Sequence, residues 1–150
     1  MPQLQPVHAS TSAGYAGDIS AQEAWQMLAT LPDAQLVDVR SEAEWVFVGL
    51  PGLESLGKQV HTIAYRTFPG MEANPRFLEH LQAQLPNRAA SVLFLCKTGG
   101  RSAEAAQLAT QLGYTQAFNV AGGFEGEANE QRQRGCINGW KAEGLPWTQR

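Results

Sequence analysis

A cysteine stands at the end of an apolar run in the stretch "VLFLCKTGGRSAEA", residues 92–105. Two glycines, an arginine and a helix-forming segment follow Cys96. The nucleophilic form of cysteine is the thiolate, so a reactive cysteine needs groups that stabilise the anion near neutral pH. The following helix offers the positive end of its dipole, and the glycines let successive N–H groups turn inward. Lys97 and Arg101 add full positive charges. The pattern therefore predicts an anion-binding loop around the Cys96 sulfur.

Such a loop would hold an incoming oxyanion or a persulfide on the sulfur. The alternative is purely structural, because cysteine also behaves as a small hydrophobic residue and a Gly-Gly pair can simply form a turn. The combination of cysteine, two glycines, arginine and a helix start within a few residues favours chemistry. The predicted site has Cys96 as its nucleophile and a set of substrate-binding residues: Lys97, Thr98, Gly99, Gly100, Arg101 and Ser102.

The composition excludes several classes of function. The chain has 150 residues, 43% of them hydrophobic, with 11 basic and 14 acidic residues and a formal net charge of −3. That charge predicts neither a nucleic-acid partner nor an anionic membrane surface. No apolar run approaches the roughly 20 residues of a membrane-spanning helix. The N-terminal segment lacks the basic and apolar regions of a signal peptide. We expect a flexible leader over residues 1–17 and a single domain over residues 18–150.

The cysteine and histidine pattern favours a cytoplasmic protein without a metal. Cys96 and Cys136 are the only two cysteines, and two unpaired thiols are typical of a reducing compartment. His8, His61 and His80 are scattered and lack the spacing of metal ligands. We therefore expect no metal site.

Strands and helices alternate along the chain. The capping-box spacing of Ser20 and Glu23, repeated by Ser41 and Glu44, predicts two helix starts. Alternation of this kind is typical of an α/β fold with a mostly parallel central sheet and helices on both faces, whose ligands bind beyond the carboxyl ends of the strands. Cys96 lies at such an end. The predicted strands cover 34–39, 58–65, 91–95 and 116–123, and the predicted helices cover 19–31, 41–45, 74–85, 102–112 and 124–134.

The loop "CKTGGRS" resembles the active-site loop of the rhodanese family, C-x-x-G-x-R-S, at Cys96, Gly99, Arg101 and Ser102. Three further segments are similar to that family: "LVDVRSEAEW" at 36–45, the glycine-rich turn in "NVAGGFEGE", and the tail "GWKAEGLPW" at 139–147. The resemblance extends over about residues 18 to 147, and it implies a rhodanese-like fold.

The resemblance implies a thiosulfate sulfurtransferase of the rhodanese type. Cys96 would take the outer sulfur of thiosulfate or a related anionic donor and pass it to a thiol or to cyanide, without a metal or organic cofactor. The donor or the acceptor could also be a protein. The donor, acceptor and pathway used in the cell are left open, as is the oligomeric state.

Two other functions compete with this interpretation. Cell-cycle phosphatases related to this fold have five residues between cysteine and arginine, whereas this chain has four, which favours a ring for one sulfur over a phosphate. The loop also departs from the pattern of low-molecular-weight phosphatases and arsenate reductases. The second alternative is a non-catalytic binding or regulatory module, and the retained cysteine, glycine and arginine speak against it.

Asp38 and Arg40 are predicted to support the loop through ion pairs rather than to bind substrate. Asp38 could reach Arg101, and Arg40 could reach Glu44. If Arg101 faces inward in this way, its role in donor binding is smaller. Whether Lys97 contacts the substrate stays open.

Several neighbouring residues have two interpretations. Trp45 and Phe47 either line the mouth of the pocket or belong to the core, and we expect the core. The segment "GLPGL" at 49–53 departs from the family's H-I-P-G-A, which affects local packing rather than chemistry. His61 and Arg66 are candidates for the rim of the site, with an ordinary surface role as the alternative. Cys136 is either a resolving thiol or, as we expect, a plain thiol.

Overall fold

The computed structural model describes residues 14–67, 72–126, 130–131 and 138–148. Cys136, a candidate resolving thiol, lies outside the described residues. Within these ranges the α-helices are α1 (Ala21–Thr30), α2 (Glu42–Phe47), α3 (Phe77–Gln84) and α4 (Gly100–Gln111). The strands are β1 (Gly17–Ile19), β2 (Gln35–Asp38), β3 (Leu50–Pro51), β4 (His61–Thr62), β5 (Arg66–Thr67), β6 (Glu72–Ala73), β7 (Ser91–Leu95), β8 (Gln116–Val120) and β9 (Trp147–Thr148).

Five strands form a central sheet in the order β1-β8-β7-β2-β4, and every neighbouring pair in it is parallel. Asp38, the last residue of β2, pairs with Leu95, the last residue of β7. The carboxyl ends of these two strands therefore lie side by side, with Cys96 directly beyond one of them. Two short antiparallel pairs, β3 with β9 and β5 with β6, lie outside this sheet. The predicted α/β class with a mostly parallel sheet is confirmed.

The sheet separates two hydrophobic clusters. Val92 and Phe94 of β7 pack in a cluster that includes residues of α3 and α4. Leu93 and Leu95, the alternate residues of the same strand, pack in a cluster that includes residues of α1 and Trp140. Because successive side chains of a strand point to opposite faces, the helices cover both faces, as predicted.

The sequence predicts helix starts well where the signal is local. Both capping boxes form, Ser20 with Glu23 at α1 and Ser41 with Glu44 at α2. The third start was placed too early, because α3 begins at Phe77 and not directly after Asn74. The Asn74 side chain accepts the Arg76 N–H at 3.0 Å and so closes a turn before the helix.

Two other predicted elements differ from the structure. The strand predicted over 58–65 is reduced to His61–Thr62. In the helix predicted over 124–134, Phe124 and Glu125 form a turn, and Gly126 has φ +73°, a left-handed conformation that ends it. Most of that predicted helix lies outside the described residues. Strand β1 was not predicted, and it begins at Gly17, within the predicted leader. The described part of that leader therefore already joins the fold. The domain boundary stays a prediction.

The C-terminal segment is held by tryptophans. Trp140 is fully buried, its indole N–H donates to the Pro146 carbonyl at 2.7 Å, and its ring meets Trp25 edge-on at 5.9 Å. Trp147 is 40% exposed and contacts the Phe124 ring edge-on. Within the described ranges, no helix combines the length and the apolar character needed to cross a membrane.

Candidate active site

The Cys96 thiol lies between the end of β7 and the start of α4. Its side chain is buried, with 1% exposure, and its sulfur accepts the Gly99 N–H at 3.1 Å. Helix α4 begins one residue after that donor and is 12 residues long. The partial positive charge at the start of a helix favours an anion at this place. The sulfur therefore has one N–H donor and the helix dipole directed at it.

Gly99 makes this turn possible. It occupies the N-cap position of α4 with φ +111°, where residues with a side chain are strained. A Cβ at this position would also collide with the carbonyl oxygen of Ala121 in the turn after β8. The glycine is thus required both by the backbone conformation and by the close approach of the two loops.

The turn after β8 fixes the other side of the active-site loop. The Phe124 N–H donates to the Cys96 carbonyl at 2.8 Å, and the Glu125 and Gly126 N–H groups donate to the Lys97 carbonyl. Gly123 allows this contact, because a Cβ there would lie 2.5 Å from the Lys97 carbonyl carbon. With its carbonyls held by this turn, the loop turns the Gly99 N–H toward the sulfur.

Ser102 also contacts the thiol, from the first turn of α4. Its Oγ lies 3.2 Å from Cys96 Sγ and donates to Asn119 Oδ1 at 2.5 Å. Both Ser102 and Asn119 are buried. The Asn119 amide in turn donates to Asp18 Oδ1 at 3.0 Å. Sequence reasoning selected Ser102 but missed Asn119 and Asp18, for which the only signal was a polar residue within the apolar strand "QAFNV".

Arg101 does not pair with Asp38, so one of the two predicted pairings is wrong. Its guanidinium donates to both carboxylate oxygens of Glu44 on α2, at 2.7 and 3.0 Å. The hydrogen bond to Glu44 raises the pKa of Arg101, whereas burial lowers it. Electrostatic interactions with Cys96 and Asp38 raise the pKa further. The Arg101 side chain is 16% exposed, so part of it remains accessible beside the loop.

Asp38 and Arg40 pair with each other, so the predicted contact of Arg40 with Glu44 is also wrong. Arg40 donates to Asp38 through Nε and through Nη2, the latter at 2.6 Å, and both side chains are fully buried. Arg40 Nη2 also donates to the Gly49 carbonyl, and the guanidinium lies 4.3 Å from the centre of the Phe124 ring. The pair ties the end of β2 to the chain after α2 and to the turn after β8.

The remaining loop residues lie at the surface. Lys97 is partly exposed, and Thr98 and Gly100 are exposed. A Cβ built at Gly100 meets no atom within 4 Å, so this glycine has open space beside it, unlike Gly99.

The candidate rim residues do not converge on the thiol. His61 contacts Gln35, the first residue of β2, and Gln84 of α3. Arg66 forms an ion pair with Glu104 at 3.4 Å. A groove of about 630 Å³ runs beside α2, and Cys96 is not among its lining residues: Ser41, Glu42, Ala43, Trp45, Val46, Phe47, Ala64 and Arg66. Phe47 is 76% exposed, so its expected place in the core was wrong.

The described residues contain no cluster of three or more histidine, cysteine, aspartate or glutamate side chains that could hold a metal ion. The groups gathered at Cys96 are the Gly99 N–H, the Ser102 hydroxyl group and paired charges. This arrangement can support a nucleophilic thiol and a small anion beside it.

Comparisons with known proteins agree with this fold. The family described as STR4 middle domain matches residues 16–150. A Rickettsia rickettsii protein described as "Uncharacterized protein RP600 homolog" is 33% identical over 131 residues, which cover 87% of this chain and 95% of that protein. The chloroplastic rhodanese-like domain-containing protein 4 of Arabidopsis thaliana is 30% identical over 129 residues, 85% of this chain but 25% of that longer protein.

Among solved structures, the crystal structure of Rv0390 from M. tuberculosis superposes with a TM-score of 0.84 at 48% identity. The match covers 91% of this chain and 99% of that one. The fold and the loop after β7 define a rhodanese-like domain. Within that class, the chain belongs to the family described as STR4 middle domain.

Proposed function

We propose that this protein is a sulfurtransferase that carries sulfane sulfur as a persulfide on Cys96. The observation that carries the proposal is the position of Cys96 Sγ, 3.1 Å from the N–H of Gly99, the residue directly before the start of α4. Membership in the rhodanese-like class supports it. The thiol is the only described cysteine, and the groups around it suit a charged sulfur.

The reaction has two covalent steps. The Cys96 thiolate attacks the outer sulfur of thiosulfate, a new S–S bond forms, and the old S–S bond breaks as sulfite leaves with its electron pair. A thiol or cyanide then attacks the terminal sulfur of the persulfide, and the Cys96 thiolate is released. The Gly99 N–H would stabilise the sulfur anion at both stages. These steps need no metal and no organic cofactor.

Lys97 is the better candidate for attracting the anionic donor. Arg101 is paired with both carboxylate oxygens of Glu44, whose negative charge opposes its own. Lys97 lies next to the nucleophile and is partly exposed. We include in the proposal a cytoplasmic location, where thiols stay reduced, and a donor or acceptor that is either a small molecule or a protein.

The test is the intact mass of the protein after incubation with thiosulfate, with Cys96→Ser beside the wild type. We expect the wild type to gain about 32 Da, one sulfur atom, and to lose it on addition of cyanide. Cys96→Ser should stay unmodified, with unchanged circular dichroism. If the wild type gains no sulfur from thiosulfate, from an organic persulfide or from polysulfide, the catalytic proposal fails and a non-catalytic binding module replaces it.

A further inference from the structure

A continuous line of hydrogen bonds leads from the thiol to the first strand of the sheet. Ser102 Oγ lies 3.2 Å from Cys96 Sγ and 2.5 Å from Asn119 Oδ1. Asn119 Nδ2 donates to Asp18 Oδ1 at 3.0 Å, and the Tyr15 hydroxyl donates to the same oxygen at 2.6 Å. Asp18 and Asn119 are paired across β1 and β8, so the sheet fixes their separation. The line joins the loop, α4, β8 and β1.

The direction of each hydrogen bond follows from the donors available. An ionised carboxylate only accepts, so the Asn119 amide must turn its N–H side toward Asp18. Burial and the hydrogen bond to Asp18 raise the pKa of Tyr15 to about 12, so Tyr15 remains a donor to that carboxylate. The carbonyl side of the amide therefore faces Ser102.

Ser102 has a single hydroxyl hydrogen, and with Asn119 in this orientation that hydrogen is donated to Asn119 Oδ1. An amide oxygen cannot donate, so the hydrogen bond at 2.5 Å uses the Ser102 hydrogen. What Ser102 then offers Cys96 is a lone pair, which can accept a hydrogen bond from a protonated thiol but gives nothing to a thiolate. Turning the hydroxyl toward the sulfur leaves the buried Asn119 oxygen without its donor. Turning the amide instead places that oxygen against the Asp18 carboxylate.

We propose that Asp18 is a positioning residue for Cys96, which acts through Asn119 to keep the hydroxyl hydrogen of Ser102 away from the sulfur. The Gly99 N–H is then left as the hydrogen-bond donor to the sulfur anion. For sulfur transfer this inference rests on the proposed function, because it assumes that Cys96 is the nucleophile. The hydrogen-bond geometry itself does not depend on the substrate.

The charged groups around the thiol come from three elements. Arg101 on α4 interacts electrostatically with Cys96 and with Asp38 at the end of β2. Asp38 is paired with Arg40, and Lys97 follows Cys96 in the loop. None of these groups has a hydrogen bond to Asp18 among the contacts of the described residues. A substitution at Asp18 therefore leaves them in place.

The test is the reactivity of Cys96 in Asp18→Asn. An asparagine at this position can donate to Asn119 Oδ1, so the Asn119 amide can turn and donate to Ser102, whose hydrogen is released to the sulfur. Alkylation by iodoacetamide is followed by mass spectrometry of the peptide that contains Cys96. Because a hydrogen bond to a charged group favours the anion, we expect the rate at pH 7 to rise about tenfold. The half-maximal rate should move about one pH unit lower.

The alternative explanation for faster alkylation of Asp18→Asn is the loss of the Asp18 negative charge near the thiol. Two further variants separate this electrostatic cause from the hydrogen-bond cause. Asn119→Ala keeps the Asp18 charge but removes the oxygen that holds the Ser102 hydrogen, so we expect a similar rise in rate. In a Ser102→Ala background, Asp18→Asn should have no effect. If Asp18→Asn still raises the alkylation rate in this background, the effect comes from charge and the proposal is overturned. Unchanged rates in both Asp18→Asn and Asn119→Ala also overturn it.

Circular dichroism checks that each variant is folded, and Asn119→Ala decides the question if Asp18→Asn does not fold. Alkylation needs no sulfur donor or acceptor. A failure of sulfur loading would therefore reject the proposed function without affecting this test.

Discussion

Glu44 and Arg101 join helix α2 to the active-site loop through two hydrogen bonds of 2.7 and 3.0 Å. Glu44 also completes the capping box of α2, because it accepts the backbone N–H of Ser41 at 3.1 Å. A single carboxylate thus caps the start of α2 and binds the arginine of α4. The pairing determines how much of the Arg101 charge is available to a bound anion.

The first prediction concerns Glu44→Gln. Burial alone would raise the pKa of Glu44, but hydrogen bonds from Arg101 and Ser41 outweigh it and lower the pKa below the usual 4.5. Because the pKa is lower in the folded than in the unfolded state, the charge stabilises the protein above about pH 4.5, and this stabilisation is lost as the pH falls through the folded-state pKa. We expect Glu44→Gln to lower the free energy of unfolding at pH 7 by about 1 to 2 kcal/mol.

Urea unfolding at pH 7, 5 and 3.5 measures this effect. The gap between wild type and Glu44→Gln should narrow at the lowest pH, because below about pH 4.5 the Glu44 carboxyl is protonated in the unfolded wild type before it is protonated in the folded protein. A gap that is equally large at all three values would show that the side chain stabilises α2 by packing and not by its charge.

A pair of glycine substitutions tests the loop geometry. Gly99→Ala places a Cβ against the Ala121 carbonyl at a backbone conformation of φ +111°. We expect it to cost about 1 to 3 kcal/mol of stability and to abolish sulfur loading, because the N–H directed at Cys96 must move. Gly100→Ala is the matched control, with open space around the new methyl group and a gain of up to about 1 kcal/mol in α4. Equal effects of the two substitutions on thermal unfolding and on loading would contradict the assigned role of Gly99.

The sequence predicted what depends on neighbouring residues. The loop after β7 and both capping boxes have signals within a few residues, and all of them appear in the structure. The ion pairs were predicted in the wrong combination, because Glu44 and Arg101 are 57 residues apart and their contact depends on how α2 and α4 are placed by the whole fold. Strand β1 has three residues, too few to show a periodic pattern, so the role of Asp18 was not visible.

The buried pair of Asp38 and Arg40 gives a prediction about stability. Arg40→Leu would leave the Asp38 carboxylate buried without its partner, which costs about 3 to 5 kcal/mol. Combining Asp38→Asn with Arg40→Leu removes the uncompensated charge, so we expect the double variant to be more stable than Arg40→Leu alone. Urea unfolding of the three proteins measures both differences. If the double variant is no more stable, the loss comes instead from the contact of Arg40 with the Phe124 ring at 4.3 Å.

The last prediction concerns the anionic sulfur donor and Lys97. Because Arg101 is paired with Glu44, Lys97 is the cation next to Cys96 that can meet an incoming anion, and it is partly exposed. We expect Lys97→Ala to raise the KM for thiosulfate about threefold to fivefold, the size expected for an exposed charge pair, with little change in kcat. Lys97→Arg keeps the charge and should retain the KM. Added salt should raise the KM of the wild type more than that of Lys97→Ala, because salt screens the attraction that the variant has already lost. An unchanged KM in Lys97→Ala would instead assign donor binding to Arg101 and to the backbone N–H groups of the loop.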